Sequence, residues 1–126
     1  MIRNTIGTGK IGESLAESFL RKKGYKILQR NWRTKWGELD LVVQDGDTVV
    51  FVEVKTKRGD WFGTPEEMVN RRKIEKVRRM AEVYLARADR KPEQARFTAR
   101  VDVVAIVLGR GDQVVRMEHY ENVYDL

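Results

Sequence analysis

Residues 37–57 read Gly-Glu-Leu-Asp-Leu-Val-Val-Gln-Asp-Gly-Asp-Thr-Val-Val-Phe-Val-Glu-Val-Lys-Thr-Lys, and the pairing of this stretch with itself decides the fold. Two runs of β-forming residues, 39–44 and 48–56, flank a Gln-Asp-Gly-Asp turn signal, the pattern of a β-hairpin. Charged residues interrupt both runs at a spacing of two: Glu38 and Asp40 on the first, Glu53 and Lys55 on the second. Side chains two apart on a strand share a face. Charges inside strands that otherwise read as core need a reason.

The turn sets the register. With Gly46-Asp47 as a two-residue loop, Asp40 stands opposite Glu53. With Asp45-Gly46 as the loop, Glu38 opposes Glu53 and Asp40 becomes its diagonal neighbour. Either register predicts Glu38, Asp40, Glu53 and Lys55 on one face, whereas a three-residue loop would divide them. Directly opposed residues have Cβ atoms about 4.5–5.5 Å apart. Two carboxylates at that separation repel unless a proton or a metal cation lies between them.

The chain around this hairpin has 126 residues, the length of one domain, 1–126, with a substantial core. Hydrophobic residues make up 41% and charged residues 35%, which suits a polar globular protein. The formal net charge is +6, and it is unevenly placed. Residues 18–37 hold seven Lys/Arg and no acid, and residues 71–91 hold nine Lys/Arg against Glu75, Glu82 and Asp89. Such a surplus permits an anionic partner without demanding one. There is no cysteine, which excludes disulfides and thiolate metal sites. No apolar run approaches the ~20 residues of a membrane span, and the N-terminus lacks the apolar core of a signal peptide. The expectation is a cytoplasmic protein with no membrane partner.

Along the chain, a helix is expected from Thr8 or Gly9 to a C-terminal stop at Gly24, with Ile11, Leu15, Ala16, Phe19 and Leu20 as its apolar stripe. Glu13 lies just off that stripe, and Gly12 within it suggests close approach of another backbone. Residues 25–32 read as a first strand with a basic, aromatic exit through Arg30, Trp32, Arg33, Lys35 and Trp36. After the hairpin comes a loop, 58–63, carrying Trp61 and Phe62. Thr64-Pro65-Glu66-Glu67 reads as a helix start with Thr64 as N-cap and Glu67 completing a capping box. That helix is expected to run to Asp89 or Arg90. Its core face is Ile74, Val77, Ala81, Tyr84 and Ala88, its opposite face carries Arg72, Lys76, Arg79, Arg87 and Arg90, and Lys73 falls between. Residues 97–108 and 113–120 complete the chain as strands around a Gly109–Asp112 turn. The predicted order is α-β-β-β-α-β-β.

Carboxylate, carbonyl and water oxygens suit a hard cation such as Mg²⁺ or Mn²⁺. Asp40 and Glu53 offer two such ligands from adjacent strands, and the Val54 carbonyl a third. Lys55, one pleat beyond Glu53, would stand beside a water on that metal, able to orient it or to stabilise charge on a phosphate. Two acids, then x-Lys, between basic flanks is the equipment of phosphodiester hydrolysis. Glu-x-Lys alone is common by chance; its pairing with Gly-Glu-x-Asp across one hairpin is far more specific.

Gly12-Glu13 with Ala16, Asn31-Trp32-Arg33, Gly37-Glu38-x-Asp40, Phe51-Val52-Glu53-Val54-Lys55, Phe62-Gly63 and Arg100-Val101-Asp102 together resemble the YraN-type uncharacterised protein family over nearly the whole chain. That family is assigned to the restriction-endonuclease-like, PD-(D/E)xK superfamily and looks most similar to archaeal Holliday-junction resolvases. The resemblance implies an α/β fold with a mixed β-sheet flanked by helices. It also implies that Glu13 joins Asp40, Glu53 and Lys55, and that a metal-dependent endonuclease acts on DNA, with branched structures among its candidate substrates. The aspartate motif is Gly-Glu-Leu-Asp here, matching the family rather than the literal Pro-Asp of many nucleases.

Each of these signals has a plainer counterpart. The hairpin charges could be an ion-paired cluster on a solvated sheet face, although Phe51 shares that face. Glu38 suits a neighbouring contact better than a ligand. The basic faces could simply be solvated. Rings interleaved with cations nevertheless suit stacking and phosphate contact, so Arg30, Arg33, Lys35, Arg72, Lys73 and Lys76 are the candidate nucleic-acid contacts, with Lys73 able to reach towards the site. Asp102 reads as a structural hydrogen-bonding acid, and His119, the single histidine, sets aside His-based chemistry. A non-catalytic nucleic-acid-binding module on the same fold is the alternative function. A partner-dependent interaction subunit using Trp61 and Phe62 is a third. Two-strand cutting would call for a homodimer.

Overall fold

The computed structural model describes residues 7–59, 66–87 and 97–126. Trp61, Phe62, Thr64, Pro65 and the expected helix end at Asp89 or Arg90 lie outside them. The elements follow the order α1 (Thr8–Lys22), β1 (Lys26–Thr34), β2 (Gly37–Asp45), β3 (Thr48–Arg58), α2 (Arg71–Ala86), β4 (Thr98–Leu108) and β5 (Val114–Asp125). This is the α-β-β-β-α-β-β order expected from the sequence.

The five strands form one mixed sheet in the order β1-β2-β3-β4-β5. Neighbours are antiparallel except β3 and β4. A parallel pair needs a crossover connection, and α2 lies in the connection between β3 and β4. One helix covers each face. On the α1 side the core gathers Ala16, Leu20, Leu41, Val43, Val50, Val52, Val54, Val104 and Ile106. On the α2 side it gathers Leu39, Val42, Val49, Phe51, Val77, Met80, Ala81, Tyr84 and Val101. Covered on both faces, β3 is buried from Val49 through Val54, as a central strand with a parallel neighbour should be.

α1 ends as its glycine suggests: Lys23 is the C-cap and Gly24 follows with φ +93°, a left-handed conformation that glycine adopts freely. Gly12 is where α1 comes closest to the sheet. A Cβ there would lie 1.6 Å from Thr56 Oγ1 and 2.8 Å from Thr56 Cβ, so the close approach is to a β3 side chain rather than to another backbone.

α2 begins later than the sequence suggests. Glu66–Met68 forms a single 3-10 turn, and the helix proper is capped by Asn70, whose side chain accepts from the Lys73 amide at 3.0 Å. Glu66 is drawn instead to β5, pairing with Arg116 and accepting from the Tyr120 hydroxyl. β5 runs past Tyr120 to Asp125 because Asn122, with φ +56°, absorbs a register shift opposite Val101 and Val103.

Candidate metal and nucleic-acid site

The hairpin closes with Asp45 paired to Thr48, so Gly46-Asp47 is the two-residue turn, and Gly46 has the positive φ (+58°) that such turns need. This register carries Asp40 towards Glu53. Regular pairing of β2 with β3 ends at Leu41↔Val52. Beyond it the Val54 amide donates to Asp40 Oδ2 at 2.9 Å. A carboxylate thus takes the place of a main-chain acceptor where the two strands part.

A second irregularity shapes the same spot. Asn31 on β1 has φ +48°, a conformation that asparagine tolerates better than most residues. The residues on either side of it turn to opposite faces. Arg30 bonds Glu17 on α1 at 2.5 Å and 2.8 Å, while the Trp32 ring meets Tyr84 on α2 edge-on at 5.1 Å. β2 switches with it, since Leu41 belongs to the α1-side core and Leu39 to the α2-side core. The period-two rule therefore fails at the Asn31/Asp40 rung. Glu38 reaches the cluster through this switch and not through simple alternation.

Glu13, Glu38 and Asp40 consequently bring carboxylate oxygens to within 4.8 Å of one another. The Asn31 amide, oriented by its hydrogen bonds, donates to Glu13 Oε1 at 3.0 Å and to Glu38 Oε1 at 3.1 Å. Residue-by-residue reading gave Asn31 no such part. Its signals in the sequence are a turn-favouring residue within a strand and its place in the Asn31-Trp32-Arg33 motif.

The electrostatics follow from crowding. Glu53 is buried, and burial first, then the charge of Asp40, push its carboxyl up to about 8, with Lys73 pulling the other way. Burial also raises Asp40, while the Val54 amide and a hydrogen bond with Glu53 oppose the rise. Glu13 is raised by burial and then by the charges of Asp40 and Glu38. Crowding thus favours the protonated form of Glu53, and Lys73 Nζ stands 3.5 Å from Glu53 Oε1. Lys55 follows one pleat on, half-buried, opposite Ala105 of β4.

The donor set is all oxygen and lies partly out of water, which fits a hard divalent cation such as Mg²⁺ or Mn²⁺. Asp40 and Glu53 are the ligands expected from the sequence, whereas the three carboxylates within 4.8 Å of one another are those of Asp40, Glu13 and Glu38. Beside Asp40 opens a cleft of about 650 Å³ lined by Trp36, Glu38, Asp40, Lys73, Lys76 and Arg79 among others. The remaining candidate cations are more engaged: Arg33 pairs with Glu38 at 2.8 Å, Arg30 with Glu17, and Lys35 rests over the Trp36 ring. Arg72 is exposed near the start of α2.

Asp102 belongs to a separate buried cluster on the α1 face. It accepts from Arg100 at 2.9 Å, from the Asn122 amide at 2.9 Å and from His119 Nε2 at 2.7 Å, while Lys23 Nζ donates to His119 Nδ1 at 2.9 Å. Burial would raise Asp102, but the bonds from His119, Arg100 and Asn122 outweigh it and hold the carboxyl low. These contacts make Asp102 a structural anchor for β4 and β5.

Comparison with known proteins agrees with the residues quoted at the outset. The pattern described as "Uncharacterised protein family UPF0102" matches residues 12–106, which include Glu13, Asp40, Glu53 and Lys55. A UPF0102 protein of Nocardia farcinica is 45% identical over 92% of this chain and 87% of its own length. One of Syntrophomonas wolfei is 46% identical over 92% and 96%, and one of Dictyoglomus thermophilum is 36% identical over 96% and 99%. By the family pattern and by relatives aligned over most of both chains, this protein belongs to the uncharacterised protein family UPF0102, the YraN type.

Proposed function

We propose that this protein is a Mg²⁺- or Mn²⁺-dependent endonuclease acting on DNA, in which Asp40 and Glu53 hold the metal, Lys55 positions the attacking water and Glu13 assists. The observation that carries this reading is the pairing of half-buried Asp40 with buried Glu53 at the parting of β2 and β3. Burial favours protonation of these two crowded carboxylates, opposed by the Val54 amide at Asp40 and by Lys73 at Glu53. Such a pair is destabilising unless something makes use of it. The resemblance to restriction-endonuclease-like nucleases points the same way.

A bound divalent cation would polarise a phosphoryl oxygen and lower the pKa of a water molecule. The protein's own contribution is positional. The Val54 amide fixes Asp40 Oδ2, and Asn31 restrains Glu13 and Glu38. Glu53 must release its proton to act as a ligand. Lys55, on the same strand face as Glu53, is placed to donate to the attacking water or to a non-bridging phosphate oxygen. Lys73, once free of Glu53, has the phosphate as its next available anion.

Purified Asp40→Ala and Glu53→Ala are expected to abolish Mg²⁺- or Mn²⁺-dependent cleavage of linear, flapped and four-way DNA while circular dichroism shows an unchanged fold. Cleavage persisting in both variants would refute the assignment.

The Lys73–Glu53 contact favours a second reading, since an ammonium there neutralises the acidic pair without metal. The fold would then be a non-catalytic nucleic-acid-binding module, showing salt-dependent binding without cleavage. Calorimetric titration with Mn²⁺ separates the two: a binding heat lost in Asp40→Ala supports the enzyme, and no heat supports the module. A cytoplasmic protein of one domain suits either reading. Because each copy carries one candidate site, cutting both strands of a duplex calls for a homodimer.

A further inference from the structure

Trp36 sits at the tip of the β1–β2 connection and is 66% exposed, whereas Trp32 four residues earlier is packed into the core against Tyr84. A single exposed aromatic needs no explanation by itself. What distinguishes Trp36 is where it is held and how firmly. Its amide donates to Thr34 Oγ1 at 3.1 Å, and Thr34 Oγ1 in turn contacts Met80 Sδ of α2 at 3.7 Å. Gly37 lies so close to α2 that a Cβ would meet the Met80 side chain at 3.3 Å. The turn is therefore tied to α2, and its indole stands at the rim of the cleft that leads to Asp40. Lys35 Nζ rests 4.8 Å from the ring centroid, and Lys76 and Arg79 line the facing wall.

Resting on the endonuclease reading above, we propose that Trp36 is a stacking platform for one unpaired base of the DNA strand whose phosphodiester lies at Asp40 and Glu53, so that the substrate is single-stranded at or beside the cut. Every base has a π-face that an indole can accept, without regard to sequence. The cleft, at about 650 Å³, has the capacity of a small-ligand pocket. It matches a nucleotide or two and not the breadth of a duplex. Within it Trp36, the cations Lys73, Lys76 and Arg79 and the carboxylate of Asp40 line one continuous space, with Glu53 behind Lys73 at 3.5 Å. This is the arrangement needed to hold a strand splayed away from its complement.

The test uses the full chain in a chelator, so that binding is read without cleavage, with fluorescein-labelled oligothymidylate and a blunt duplex as probes followed by anisotropy. Trp36→Ala is expected to weaken oligothymidylate binding about tenfold and to leave duplex binding unchanged, while Trp36→Phe retains most of the affinity. An unchanged thermal midpoint for Trp36→Ala shows that the loss is not one of folding. Equal oligothymidylate binding by wild type and Trp36→Ala would overturn the inference, as would an equal loss on both probes or no binding of oligothymidylate by wild type. Cleavage in Mn²⁺ is scored separately. Trp36-dependent binding with no cleavage overturns the endonuclease reading alone, whereas cleavage of DNA with Trp36-independent binding overturns this inference alone.

Discussion

Glu53 is an acid on a central strand whose neighbours Val52 and Val54 are core, and its environment favours the protonated form. Its carboxyl is raised from the ordinary 4.5 to about 8, by burial and then by Asp40. Between those values the unfolded chain has released the proton and the folded chain still holds it. Unfolding therefore releases a proton, and stability falls as pH rises through that window. In Glu53→Gln this proton is absent while the shape remains. In EDTA, the variant is expected to gain on wild type as pH rises from 5 to 9, by roughly 1–3 kcal/mol at the upper end, as read by thermal or urea unfolding. Parallel stability curves across that range would show that Glu53 is not held protonated. The gain would come with loss of cleavage, because the same strained pair is the proposed metal site.

The site depends on how three elements meet, and α1 meets β3 at Gly12. Gly12→Ala would drive a methyl into Thr56, and overpacking of that kind costs about 1–3 kcal/mol. Glu13 is the next residue, so cleavage is expected to fall further than stability does. Thr56→Ala should restore part of both: Thr56 Oγ1 is buried without a hydrogen-bond partner among the described residues, so its removal orphans nothing. Unfolding midpoints and cleavage rates of the two single variants and the double variant measure this coupling, and strict additivity would argue against the contact. Elements of this kind were unequally legible in the sequence. The Gln-Asp-Gly-Asp turn marks the hairpin, because turn chemistry and period two are local properties. It leaves two registers open, and pairing of Asp45 with Thr48 selects the one that sets Asp40 against Glu53. The reversal at Asn31 was hidden, since a single positive φ leaves no mark on hydrophobic periodicity, and with it went the route by which Glu38 arrives. The late start of α2 was hidden for a related reason. The Thr64-Pro65-Glu66-Glu67 start signal is local, while Glu66 is held by Arg116 and Tyr120 some fifty residues away. Likewise Asn122 breaks the alternation that would have carried β5 beyond Tyr120.

Over the whole molecule, the net charge of +6 is spread less widely than the sequence blocks suggest. Folding brings acids to several of the basic residues: Glu17 binds Arg21 and Arg30, Glu38 binds Arg33, and Glu75 and Glu82 hold Arg78 between them. Lys76 and Arg79 are left facing the cleft with no carboxylate partner among the described residues. These cations add a positive field at the entrance to Asp40, where it would steer a phosphate backbone towards the acidic pair. Each phosphate contact contributes a nearly constant increment to the salt dependence of binding. Lys76→Ala with Arg79→Ala is therefore expected to reduce the slope of log K against log salt by about 2, on paired and unpaired DNA alike. Lys22→Ala, exposed at the end of α1, should leave the slope unchanged. Anisotropy titrations between about 50 and 200 mM salt measure both. Equal slopes for wild type and the double variant would mean that the backbone is gripped elsewhere. A reduced slope combined with an undiminished Trp36 effect would separate the two functions of the cleft: phosphates held by the α2 cations independently of sequence, and a base held by the indole independently of charge.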